Sequence, residues 1–158
     1  MRRATFRPSA GNGGCMIAGE SEKYVRMSAI LGAAPLLVLG VACILGGENV
    51  SLLRPMFDYY SMALLAFMAG GVWLIGLRGE GPATPSRLLW ASIVCLILAW
   101  MAPGLPPGLR SLTLAAAFLF FYGLDRFVLE DYWRADYQQM RCHLTLCAAV
   151  MQTLVLLV

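Results

Sequence analysis

Charge is what this chain has least of. Asp, Glu, Lys and Arg together make up 13% of 158 residues, and His143 is the only histidine. Soluble domains carry about 25% charged residues, so too few are present here to clothe a water-facing surface. An extramembrane domain of any size is excluded for the same reason. The net charge is +3 and no basic stripe is present, which argues against nucleic acid as a partner. The catalytic inventory is equally thin. There is no HExxH, no glycine-rich phosphate loop, no pair of carboxylates within one apolar run and no histidine–carboxylate–nucleophile set inside one. The expectation is a non-enzymatic protein without a cofactor; a lone histidine also leaves a b-type haem short of its usual second ligand. The five cysteines (Cys15, Cys43, Cys95, Cys142 and Cys147) are scattered and do not form a disulfide framework. Cys43, Cys95 and Cys147 read as small buried hydrophobes.

What the chain does have is hydrocarbon: 59% of its residues are apolar, gathered in long runs. Residues 1–24 are polar and glycine-rich, with Arg2, Arg3 and Arg7 and no apolar run before Cys15, so no secretory signal is read there. They are expected to be a disordered cytoplasmic tail, with a faint likeness to a mitochondrial presequence and with Met16 and Met27 as alternative starts. Residues 25–158 read as an all-α transmembrane bundle of five helices, at about 25–45, 56–77, 88–102, 109–124 and 142–158. Pro35 should kink the first, after Gly32, unless a neighbour satisfies the backbone it frees. The second opens on an aromatic belt, Asp58-Tyr59-Tyr60, and carries Ala66, Ala69, Gly70 and Gly71, small residues that let helices approach closely. Trp90 and Trp100 flank the third, and Pro103 to Gly108 make a tight turn into the fourth. The last run barely spans a bilayer, so its helix is expected to start earlier. Counting Lys and Arg puts Arg2, Arg3, Arg7, Lys23, Arg26, Arg78, Arg87, Arg126, Arg134 and Arg141 on one side, and Arg54 and Arg110 on the other. That bias predicts an N-terminus inside and a C-terminus outside.

Leu124 to Thr145, LDRFVLEDYWRADYQQMRCHLT, is the one long polar interruption among the last runs. From Asp125 the spacing is helical, with Trp133, Tyr137, Met140 and Leu144 on one face. Arg126/Glu130 and Glu130/Arg134 stand at i, i+4. One reading is an amphipathic segment lying at the cytoplasmic surface before the last helix. A sharper one brings Asp125, Arg126 and Arg141 into a polar cap, with Tyr137 and Thr145 beside it, as a site for a ligand or partner. Met140, His143, Cys147 and Met151 also recur on one face and would suit Cu(I), although sulfur side chains at this spacing more often serve packing.

Several motifs, in order, resemble the domain of unknown function family 3429, a group that includes the transmembrane protein sixty-nine-like membrane proteins. They are Gly32-Ala33-Ala34-Pro35; Tyr60, Phe67, Gly70 and Trp73; Ser92 and Trp100; Asp125-Arg126; and Tyr137, Met140-Arg141 and Leu144-Thr145. Leu36, Val72, Cys95 and Asp136 depart from the residues common there. The resemblance covers Ser28 to the C-terminus. It implies a membrane-embedded protein of bacteria and mitochondria with no established activity. It favours the Asp125–Arg141 cap over the copper stripe.

The function expected is that of a non-enzymatic accessory or assembly factor of a larger complex in the bacterial inner membrane, or the mitochondrial one in a eukaryote. It would act by helix packing through Gly32, Pro35, Ala66, Gly70, Gly71, Trp73 and Trp100, with the bilayer, other membrane proteins or a second copy as partners. The alternatives are a small carrier or lipid- or quinone-binding protein using the cap, and copper handling.

Overall fold

The computed structural model describes residues 14–79, 83–130 and 132–157. Among them every regular element is helical. Helix α1 spans Gly14–Leu45, α2 Val50–Arg78, α3 Pro85–Met101, α4 Pro107–Gly123 and α5 Ala135–Leu156. A 3₁₀ turn, Ala102–Gly104, follows α3, and a π-helical turn, Leu124–Val128, extends α4.

The punctuation explains the boundaries. Helix α1 stops at Gly46-Gly47, where φ reaches 72° and 121°, values that side chains with a Cβ resist. Gly79 ends α2 in the left-handed conformation, its N–H bonded to the carbonyls of Ile75 and Gly76. Pro85 and Pro107 open α3 and α4, where a missing N–H costs nothing.

Each helix differs at its ends from the sequence reading. Helix α1 begins at Gly14, so the part of the expected tail from residue 14 to 24 is helical; no proline stands between Pro8 and Pro35 to stop the helix propagating backwards. Residues 1–13 of that tail lie outside the described residues. Helix α2 begins before Pro55 rather than after it, since a proline near the start of a helix removes only one bond. Helix α5 starts at Ala135, earlier than its apolar run, as expected from its length. The polar stretch from Asp125 does not run on as one unbroken helix. The chain instead finishes α4, turns through Leu129 to Arg134 and enters α5, because the buried contacts of Asp125 and Leu129 bind this stretch to the bundle end.

Helix α2 pairs with α3 and α4 pairs with α5, while α1 lies against both α2 and α5. Phe57, Leu65, Met68 and Val72 of α2 meet Leu36 of α1, Leu88 of α3, Phe118 and Phe121 of α4, and Val155 of α5 in one apolar core. The outside is also apolar: Val38, Phe67, Trp90, Leu112, Phe120 and Val150 are exposed. Three helical stretches, Val50–Arg78, Pro85–Gly104 and Pro107–Val128, are long and apolar enough to cross a membrane. The apolar part of α1, Ile30–Leu45, is shorter, and α5 carries Arg141, His143 and Gln152.

Close helix approach falls on glycines other than those the spacing suggests. A Cβ on Gly40 would overlap the flexible end of Met151 and lie 3.2 Å from the Phe57 ring, so α1 meets α5 and α2 there. A Cβ on Gly76 would lie 3.3 Å from the backbone nitrogen of Leu89, at the α2–α3 crossing. At Gly32 and Gly70 nothing stands within 4 Å of that position. Gly32 matters through its carbonyl, which accepts a 2.7 Å hydrogen bond from the Tyr60 phenol in the turn that Pro35 weakens. Trp73 and Trp100 face outward, Trp100 being 78% exposed, so neither packs the interior.

Gly40→Val is expected to cost about 1–3 kcal/mol through overpacking. Gly70→Ala, with open space around it, should stay within about 0.5 kcal/mol of wild type or gain slightly. Thermal unfolding in detergent followed by tryptophan fluorescence compares them, and equal losses would refute this assignment of the contacts.

Candidate functional site

The extra residue in the π turn is closed by the Leu129 N–H donating to the Leu124 carbonyl at 3.1 Å. Such bulges rotate the side chains that follow and recur at functional positions. Here Asp125 points into the bundle, fully buried, while Arg126 points out. Arg141, on the buried face of α5 and only 2% exposed, donates from Nε to Asp125 Oδ2 at 3.0 Å. Its guanidinium carbon lies 5.3 Å from the centroid of the Trp133 ring and 5.8 Å from that of Tyr137, and the two rings meet edge-on at 4.9 Å. Both aromatics thus cover the cation with their electron-rich faces. A methyl group on Gly71 of α2 would stand 3.5 Å from Nη1, ordinary van der Waals contact, so α2 passes directly beside the guanidinium. Thr145, one turn along α5, donates to the carbonyl of Arg141 at 2.9 Å. Gln138 donates to the backbone carbonyl of Asp125 at 3.2 Å.

The cap therefore forms, and Asp125, Arg141, Tyr137 and Thr145 meet in it. Arg126 does not belong to it. Facing outward, Arg126 pairs on the surface with Glu130. Sequence reasoning placed Trp133 on an apolar face; the structure makes it the lid over Arg141. Three atoms inside the cap have no hydrogen-bond partner: Asp125 Oδ1, Arg141 Nη2 and Trp133 Nε1. The indole N–H faces the carboxylate without reaching hydrogen-bond geometry.

A second ion pair sits at the other end of the bundle, where the sequence reading saw only an aromatic belt. Asp58 is 1% exposed, and the Arg110 Nη1 donates to its Oδ2 at 3.1 Å. The same guanidinium donates to the carbonyls of Ala102, Pro103 and Leu105, tying off the C-terminal turn of α3. Between the two pairs, Gln152 Nε2 donates to Ser61 Oγ at 2.8 Å, both side chains fully buried. The buried face of α5 thus carries Arg141, Thr145 and Gln152, a polar seam inside an otherwise apolar core. The signal that could have found the Asp58–Arg110 pair was present: both residues belong to the same end of the bundle.

The remaining candidates do not gather. His143 is exposed, whereas Met151 is buried against Gly40, so the Met140–His143–Cys147–Met151 stripe runs from surface to core instead of converging. Among the described residues no cluster of three His, Cys, Asp or Glu side chains could hold a metal. Ala66, Gly70 and Trp73 line an open groove of about 310 Å³ with Ser92, Ile93 and Leu96 of α3.

The sequence profile of the family described as Protein of unknown function (DUF3429) matches residues 21–157. The chain belongs to that family. No curated protein and no solved structure matches it.

Removing one partner of a buried ion pair leaves an uncompensated charge and costs about 3–5 kcal/mol, whereas replacing both by apolar residues is often near neutral. Asp125→Ala is therefore expected to destabilise the bundle by that amount, and Asp125→Leu with Arg141→Met to recover most of the loss. Unfolding of the single and double variants in detergent tests this. A double variant as damaged as the single one would mean that the pair is more than mutual compensation.

Proposed function

We propose that this DUF3429 protein is a non-enzymatic accessory or assembly factor that rides on a larger complex in the inner membrane. In this reading all five helices span the bilayer, with the N-terminus in the cytoplasm and the C-terminus outside. The preponderance of Lys and Arg in the tail and in the loops on that side supports the orientation. The fifth span is supported by the neutralisation of Arg141 by Asp125, which lets α5 lie beside α1 and α4.

The observation that carries the proposal is the outward placement of Ala66 and Gly70. These two form a small-xxx-small pair on α2, yet the fold makes no close contact on Gly70. They open onto the groove beside α3, with the half-exposed Trp73 at its rim. Small residues at this spacing admit the backbone of a second transmembrane helix, and packing is what holds helices together where no hydrophobic drive exists. The occupant we infer is a helix of a partner membrane protein. A carrier working through the Asp125–Arg141 cap has less support, because the cap is sealed by Trp133, Tyr137 and the core.

Gly70→Leu fills the groove without touching the interior. Tagged wild type, purified in mild detergent, should retain a membrane protein in stoichiometric amount. The variant should fold and melt like wild type and lose at least about tenfold of that affinity, a change of about 1.4 kcal/mol. A wild type that purifies alone, a variant that keeps its partner, or retention only of a second copy would each defeat the accessory reading.

A further inference from the structure

On the face of the α4–α5 pair that points away from the core lies a cleft of about 350 Å³. It occupies the bundle end that holds the Asp125–Arg141 pair, but it opens outward and is separate from the cap. Tyr122, Arg126, Gln139, Cys142, His143 and Leu146 are among its lining residues. Among the described residues no carboxylate lines it. Arg126 pairs on the surface with Glu130, and a phosphate would compete with that carboxylate for the guanidinium. Gln138, also at the wall, commits its amide nitrogen to the carbonyl of Asp125. That leaves a guanidinium, an imidazole, an amide and a phenol as the groups offered to a ligand. All four can donate hydrogen bonds, and Arg126, Gln139 and His143 are exposed.

The position of the cleft says more about the ligand. The apolar stretch Pro107–Val128 ends two residues past Arg126, which on the five-span reading puts the cleft where hydrocarbon gives way to water. Below it, away from this end, the same outer face turns apolar: Leu119 of α4 and Leu146 and Val150 of α5 are exposed along it. Polar donors at the boundary above an apolar track match the polarity of an amphiphile. A free anion would use the upper part alone. Cationic and interfacial residues close to a bilayer surface attract anionic lipid headgroups, and basic pockets between helices bind them.

We propose that this cleft binds the phosphate of an anionic phospholipid. Arg126 and His143 hold the phosphate oxygens, Gln139 and the Tyr122 phenol reach the headgroup, and the acyl chains run down past Leu146 and Leu119. Arg126 suits the task because a guanidinium engages two oxygens at once. The site is independent of the α2–α3 groove and of any partner seated there.

The test measures the melting temperature of the purified full chain in mixed micelles containing phosphatidylglycerol, phosphatidylcholine or, as a third arm, inorganic phosphate without added lipid. Native mass spectrometry counts the lipids retained. Phosphatidylglycerol should raise the melting temperature by a few degrees and stay bound, as a ligand specific for the folded state must. Phosphatidylcholine and inorganic phosphate should do neither. Arg126→Gln with His143→Gln should lose most of the shift and of the retained lipid. Both residues are exposed, so the variant should melt like wild type without lipid; His143→Gln alone serves if the double variant does not fold, and should lose part of the shift. Equal shifts from the two lipids, a shift reproduced by inorganic phosphate, or a variant that keeps the full effect would each overturn the proposal.

Discussion

A charge or hydrogen-bonding group buried in apolar surroundings must find its counterpart within the protein, and this requirement shapes the molecule. Asp125 meets Arg141 at one end of the bundle, and Asp58 meets Arg110 at the other. Gln152 meets Ser61 between them. Each pair joins two helices, so those helices cannot slide or rotate against each other without separating the partners. The apolar core gives the bundle cohesion, but cohesion is indifferent to register. The polar pairs supply register, because a shift of one residue turns a side chain by about 100° on a helix of 3.6 residues per turn.

Much of this was legible in the chain beforehand. Runs of apolar residues, with glycines and prolines between them, marked the helices. Asp125 and Arg141 stood out as charges beside apolar runs with matching family motifs. What could not be read was direction. Composition places Asp58 near a helix start, beside the belt tyrosines Tyr59 and Tyr60, but does not say which way it faces; it points inward to Arg110. The same gap hides which glycines pack inside the bundle. Gly70 and Gly71 lie in the most glycine-rich part of α2, yet the close crossings use Gly40 and Gly76, which sit alone. Arg126 differs from Asp125 by one position, yet Asp125 is buried and Arg126 exposed. Hydrophobic periodicity cannot reveal a π bulge, since its effect is to break the period.

The fold therefore divides its small residues and its charges by task. Gly40 and Gly76 draw helices together inside, Gly71 lies beside a guanidinium, and Gly70 is left facing outward. Among the arginines, Arg141 and Arg110 are committed to internal partners, whereas Arg126 remains on the surface beside an imidazole. Residues that look equivalent in composition are separated by what the packing asks of them. The sealed cap reads as architecture. The two open concavities, between α2 and α3 and between α4 and α5, are where the molecule can meet something else.

The Asp125–Arg141 pair has a consequence for biogenesis. On the five-span reading, α5 presents Arg141, Thr145 and Gln152 on one face and is a poor candidate to leave the translocon alone. Its charge is cancelled by a residue in the segment synthesised just before it. Helices α4 and α5 must then partition into the lipid as one hairpin, with the Leu129–Arg134 turn as its bend, and loss of Asp125 would strand α5 at the insertion step before any question of folded stability arises. Glycosylation mapping of nascent chains with and without Asp125 would distinguish that failure from later unfolding.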